Sequence, residues 1–209
     1  MPLSFHHFGP NREAFQKAPF YDDPTYAKIL DGLVVACTDV IICDDAGNML
    51  SGFRQIKPQQ GYWTSCGGRM MRGDTFEETA SLKVKGELGL DVPKDRFNYV
   101  STYSTSFTER QLPPQENGTH TVNALMVLTV TTEERKEIDA NLKLDGEHER
   151  SDWVDLSEVM DKDDDRFPPA LRQMATDVYD FLTTPDKPLS HEEAAFRALT
   201  ALTYLRSQD

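Results

Sequence analysis

The stretch GYWTSCGGRMMRGDTFEETASLKVKGELGL, residues 61–90, limits the possible folds of this chain more than any other. Its adjacent glycines, Gly67 and Gly68, precede a charged loop, after which Phe76, Ala80, Val84 and Leu88 recur at helical spacing. Asp74, three residues ahead of Glu77, supplies a helix-start signal, and Gly89 follows the last apolar residue. The expected order is strand, glycine loop, helix, with the helix running from about Asp74 to Glu87.

The segments on either side read as a sheet. LVVACTDVIIC, residues 33–43, is dense in β-branched residues and stops at the turn-rich cluster 44–48, so two strands joined by a turn are expected, the second near 49–54. Segments 97–107 and 120–131 also read as strands, separated by the polar loop TERQLPPQENGT, and 150–156 is a short strand containing Trp153. Leu171, Met174, Val178 and Phe181 mark an amphipathic helix, and the acidic run 161–165 before it is a solvated surface. Residues 1–30 show no sustained period and form an N-terminal arm, packed on this domain or on a neighbour. A single domain is expected over 31–184. A C-terminal helix over 185–209, with Phe196, Leu199, Leu202 and Leu205 on one face, serves packing or homodimerisation.

The charge balance excludes some functions. With 209 residues and a formal charge of −13, the chain is no general nucleic-acid binder, since phosphate backbones are held by basic patches. An acidic protein that acts on a phosphate needs a cation between the two. No apolar run approaches membrane-spanning length, and the start lacks the basic and apolar regions of a secretory signal, so a soluble cytoplasmic protein without membrane partners is expected. Cys37, Cys43 and Cys66 form no C-x₂₋₄-C pair and are expected to pack rather than to bind metal. Glycine has no side chain to keep a ligand away from the backbone. Glu87, in the last turn of the helix, can therefore join a loop carbonyl on one Mg²⁺, a hard cation that takes oxygen ligands.

In these residues the chain resembles the Nudix box, G-x₅-E-x₇-R-E-U-x-E-E-x-G-U, with U a bulky aliphatic residue. In register the box starts at Gly68. Asp74 stands for the first Glu, Val84 for the internal aliphatic, Glu87 for the last Glu, and Gly89 and Leu90 close it. Leu82, Lys83 and Gly86 depart from it, and Lys83 puts a cation where the box has an acid. These departures resemble the GDP-mannose mannosyl hydrolase branch, which keeps only the final metal-binding Glu. PQQGYWTSCGGR, residues 58–69, and Asp145-Gly146-Glu147-His148 extend the likeness, which covers roughly 33–156.

The resemblance implies an α/β fold, a Nudix α/β/α sandwich with a mixed β-sheet. It implies that the Gly67 carbonyl, Glu87 and Glu147 hold one Mg²⁺, for which Mn²⁺ can substitute. Arg54 and Arg69 would grip a diphosphate, Asp39 would contact the substrate, and His148 would be the general base. Where the branch has Gln, this chain has Glu147, which makes the site one charge more negative. Leu125 stands where the branch has a diphosphate-touching Tyr, so that contact is either absent or supplied by a residue such as Tyr103. The implied reaction is hydrolysis of a nucleotide sugar of the GDP-mannose or GDP-glucose type to NDP and free sugar, by water attack at the anomeric carbon with inversion. Two alternatives stand beside it: phosphoanhydride cleavage giving NMP and a phosphorylated product, and a non-catalytic nucleotide-binding regulator. Weighed on its own, mid-strand Asp39 is either a structural partner or a sugar-hydroxyl acceptor. Tyr62 and Trp63 are expected to pack, and Glu77 and Glu78 to sit solvated in the first helical turns.

Overall fold

The computed structural model describes residues 21–184. The C-terminal helix expected over 185–209 and the first twenty residues of the arm, with His6 and His7, lie outside the described residues, as does His191. The chain divides into the units Met1–Tyr179 and Asp180–Asp209, and the fold below is that of the first.

The apolar run becomes β1 (Val35–Asp44), and the turn after it leads into β2 (Asn48–Arg54). The Asp44 carboxylate builds this turn by accepting from the backbone N–H groups of Ala46 and Asn48. Then follow β3 (Trp63–Thr64), β4 (Cys66–Arg69) and the helix α2 (Phe76–Leu88). β5 (Asn98–Phe107) and β6 (Thr119–Val130) flank the proline-rich loop, and β7 (His148–Asp155) precedes the helix over Pro169–Thr183. The seven strands form one mixed sheet in which β1 runs parallel to β6 and antiparallel to β2 and β4.

One edge of β1 is shared by two partners. Residues 37–40 pair with β4, and 42–43 pair with β2, which then diverges to pair with β3 and β7. The sheet therefore forks between Val40 and Ile42. On one face Val40, Ile42, Met126 and Leu128 pack against Ala80, Val84 and Leu88 of α2. On the other, Asp39, Ile41, Leu125 and Val127 lie on the side where Tyr103 of β5 meets Met174 of the last helix, at 3.2 Å. Helices on both faces of a mixed sheet make the expected α/β/α layering.

Three local readings need correction. The N-cap of α2 is Thr75, one residue past Asp74, and its capping-box partner is Glu78, not Glu77. The Thr75 hydroxyl accepts from the Glu78 N–H while the Thr75 N–H donates to the Glu78 carboxylate, whereas Asp74 is buried. Glu78 is accordingly not merely solvated, and it also pairs with Lys94 at 2.9 Å. The end of the arm is regular: α1 (Asp23–Gly32) starts from an Asp22 cap with a proline in its first turn. A helix over Thr132–Asn141, opened by a second Thr and Glu capping box, follows β6. Tyr62, expected to pack, is instead exposed, whereas the expectations for the cysteines and Trp63 hold. The three cysteines are free and buried, and Trp63 packs edge-on against Phe53 with ring centroids 5.6 Å apart.

Leu128 lies in the α2-facing core with 1% exposure. Leu128→Ala is expected to lower stability by about 2–5 kcal/mol. Thr75→Ala removes one half of a cap and should cost only about 1 kcal/mol. Urea unfolding of both variants checks this order, and a larger loss for Thr75→Ala would contradict the packing described.

Candidate active site

The fork brings together residues far apart in sequence. Thr75 and Gly89 fix the two ends of α2, and the helix delivers Glu87 from its last turn to the glycine strand, where the Gly67 N–H donates to Glu87 Oε2 at 3.2 Å. The backbone carbonyls of Leu88 and Glu87 then accept from the N–H groups of Lys143 and Asp145, at 3.0 and 3.1 Å. This docks the segment before β7 on the end of α2 and sets Asp145 beside Glu87. In the Asp145-Gly146 turn, Asp145 Oδ1 accepts from the Glu147 N–H at 2.9 Å and meets His148 Nδ1 at 3.2 Å. One ligand atom from each of Glu87, Asp145 and His148 lies within 4.8 Å of the others.

A register shift aims His148 inward. Phe53 pairs with Arg150 but Arg54 pairs with His148, so Glu149 is the extra residue of a bulge. The imidazole is 5% exposed and lies flat on Gly52, where a Cβ would come within 2.5 Å of His148 Cδ2. Its Nε2 is 3.3 Å from the Thr64 hydroxyl. With Nδ1–H donated to Asp145, Nε2 is the basic nitrogen, and that tautomer suits proton abstraction.

The remaining expected residues divide by contact. Arg54 is held at the rim, with Nε donating to the Pro58 carbonyl at 2.7 Å and a guanidinium nitrogen 2.8 Å from Glu147 Oε2. Glu147 is thus bonded to Arg54, and the carboxylate gathered with Glu87 and His148 is that of Asp145. Arg69, at the end of β4, stacks over Tyr26 of α1 at 4.0 Å. Asp39 faces Gly67 across the β1–β4 pair, and a Cβ at Gly67 would lie 2.4 Å from Asp39 Oδ1. Its Oδ2 accepts from the Tyr103 hydroxyl and from Asn123 Nδ2. Tyr103 is therefore committed to Asp39 and Met174, and Leu125 is fully buried. Sequence reasoning passed over Asp145, although an Asp-Gly pair ahead of the histidine is a turn signal whose carboxylate bonds back to the chain.

Burial dominates the electrostatics. It pushes the Glu87 carboxyl from its ordinary 4.5 up to about 7, against the pull of Lys83 and the Gly67 N–H. Asp39 is also raised by burial, opposed by the Tyr103 and Asn123 hydrogen bonds. Burial raises the Cys66 thiol well above its usual range, with the Glu87 charge adding to it. Two carboxylates, one of them desolvated, and an imidazole form a donor set that suits a divalent cation.

The Glu87 shift fixes a pH dependence. Between pH 4.5 and about 7 the folded chain keeps a proton on Glu87 that the unfolded chain releases, so this group destabilises the metal-free fold as pH rises through that window. In chelator, Glu87→Gln should remove a loss on the order of 3 kcal/mol that the parent shows on going from pH 4.5 to 8. Urea unfolding at both pH values measures it, and equal slopes for parent and variant would contradict the burial argument.

The NUDIX domain family matches residues 35–175, well over half of the 209-residue chain. Among solved structures, the MutT protein of Methanosarcina mazei Go1 superposes with a TM-score of 0.54 at 16% identity, covering 72% of this chain and 96% of that one. A MutT NUDIX hydrolase from Burkholderia pseudomallei gives 0.53 at 18%, covering 70% and 98%. The NUDIX domain of Shewanella oneidensis NrtR, complexed with ADP ribose, gives 0.51 at 14%, covering 75% and 97%. Against a MutT/nudix family protein from Enterococcus faecalis, at TM-score 0.45 and 15% identity, the chain spans 46% of that chain's length while 66% of this one is covered. At such identities these likenesses concern the fold alone. The family match starts at β1 and ends in the last helix, taking in the glycine strand, its helix and the turn before β7, and this chain therefore belongs to the Nudix hydrolase family, whose members bind small nucleotide derivatives and generally use a divalent metal.

Proposed function

We propose that this protein hydrolyses a nucleoside diphosphate sugar of the GDP-mannose or GDP-glucose type, giving NDP and the free sugar. The observation that carries this reading is the pair of half-buried Asp145 and buried His148 beside Glu87: a base oriented by a carboxylate, next to the one acid left at the end of an otherwise depleted box. Lys83 and Gly86 replace two acids of that box, which favours one metal ion over several.

In this reading Glu87, the Gly67 carbonyl and carboxylates of the 145–147 turn would hold one Mg²⁺, or Mn²⁺ in its place. Asp145 is the carboxylate beside Glu87, and Glu147, bonded to Arg54 in the metal-free protein, would be the further acid of this turn. The bound cation supplies neutralisation of the charge that develops on the leaving group. Arg54 and Arg69 flank the glycine strand and grip phosphate oxygens, while Asp39 accepts from a sugar hydroxyl through Oδ1. Water attacks the anomeric carbon, its proton passing to His148 Nε2 by way of the Thr64 hydroxyl. The new C–O bond forms as the bond to the β-phosphate oxygen breaks, so NDP departs and the anomeric configuration inverts.

Turnover of GDP-sugars in ¹⁸O-labelled water tests this. The label is expected in the sugar, with the opposite anomer appearing first by NMR, and His148→Ala should lower kcat by roughly 10²–10⁴-fold. Label in a phosphate would establish phosphoanhydride cleavage instead. No turnover of any nucleotide sugar by the parent protein would favour a nucleotide-binding regulator.

A further inference from the structure

Among the described residues Arg54, Arg69 and Lys83 act on Asp39 or Cys37 of the β1 segment that pairs with the glycine strand, and two of these cations are engaged. Arg54 is bonded to Glu147 and to the Pro58 carbonyl, and Arg69 is stacked on Tyr26. The third, Lys83, makes no ion pair or hydrogen bond among the described residues. Its ammonium lies against the backbone of Gly68, where a Cβ would be only 3.0 Å from Nζ. Any other residue at 68 would crowd it. Lys83 stands one turn before Glu87 on the same helical face, so both side chains reach the glycine strand from one side.

The Lys83 side chain is half-buried, and among the described residues no acceptor is in direct contact with its ammonium. Its charge is nevertheless felt across the site, since it favours the ionised forms of Glu87, Asp39 and Cys66. In the register of the box this position carries an acid that would help hold metal, and here the sign is reversed. A cation placed there attracts the anion that a second metal would otherwise have to bridge, and lysine serves phosphates as a point charge.

We propose that Lys83 is a substrate-binding residue whose ammonium takes an oxygen of the diphosphate directly, without a metal between them. This rests on the reading of the site as one for a nucleoside diphosphate derivative, and it adds a third, resident cation to the two arginines. A lysine needs no metal for this contact, so the prediction can be separated from turnover.

Inorganic pyrophosphate titrated calorimetrically into the full chain in excess chelator is the test. The parent is expected to bind it, Lys83→Met to bind at least about ten-fold more weakly, and Lys83→Arg to stay within about three-fold of the parent, as a charge-assisted hydrogen bond implies. Thermal melts identify any variant that has lost its fold, and Lys83→Arg keeps the test informative if Lys83→Met has. Equal affinity in folded Lys83→Met, or no binding by the parent, overturns the proposal. GDP-sugar hydrolysis is assayed separately. Lys83-dependent binding without turnover sinks the hydrolytic reading and leaves this one standing, while turnover with KM unchanged in Lys83→Met sinks only this one.

Discussion

The hydrogen bond between the Gly67 N–H and the Glu87 carboxylate joins the two halves of the site. It ties the end of α2 to the strand that occupies half of one β1 edge. Because α2 is closed at one end by the Thr75 box and at the other by left-handed Gly89, its last turn cannot drift along the sheet. The carbonyls of that turn then receive the backbone of Lys143 and Asp145, so the same helix end positions the turn before β7. Asp145 and His148 owe their places to this docking, and the imidazole fits only because Gly52 has no side chain.

The geometry has an electrostatic cost. Glu87 is buried beside Asp145, and Lys83 answers it across space rather than by an ion pair. A carboxylate in that setting keeps its proton near neutrality unless a cation arrives, so cation binding and proton release are linked at this site. The surrounding chain, at −13, adds no general attraction for phosphate, so affinity for an anionic ligand has to come from local cations.

Much of this architecture was readable in the sequence because its signals are local. The run 33–43, the turn at 44–48 and the apolar spacing of Phe76, Ala80, Val84 and Leu88 each carry their own period. The glycine pair and the box likewise pointed to one helix end. What could not be read were outcomes of pairing. Nothing in residues 145–148 alone says that Asp145 N–H will bond to the Glu87 carbonyl, or that a bulge at Glu149 will turn His148 inward and leave Glu147 on Arg54. The helices over 23–32 and 132–141 were passed over because each buries little, with Ala27 and Ile138 as their buried residues, although their caps were visible as Asp22-Asp23-Pro24 and Thr131 with Glu134. The shift of the α2 cap from Asp74 to Thr75 has the same origin, since a one-residue choice between two good caps is decided by what the rest of the helix packs against.

If Glu87 holds the site together as described, it is also its principal cation ligand. Titration of Mn²⁺ into the metal-free protein at pH 8, followed by EPR of the free ion, tests this most directly. One bound ion per chain is expected, weakened at least about ten-fold by Glu87→Gln, as loss of a first ligand requires. Unchanged Mn²⁺ affinity in a folded Glu87→Gln variant, or two tightly bound ions in the parent, would contradict the account.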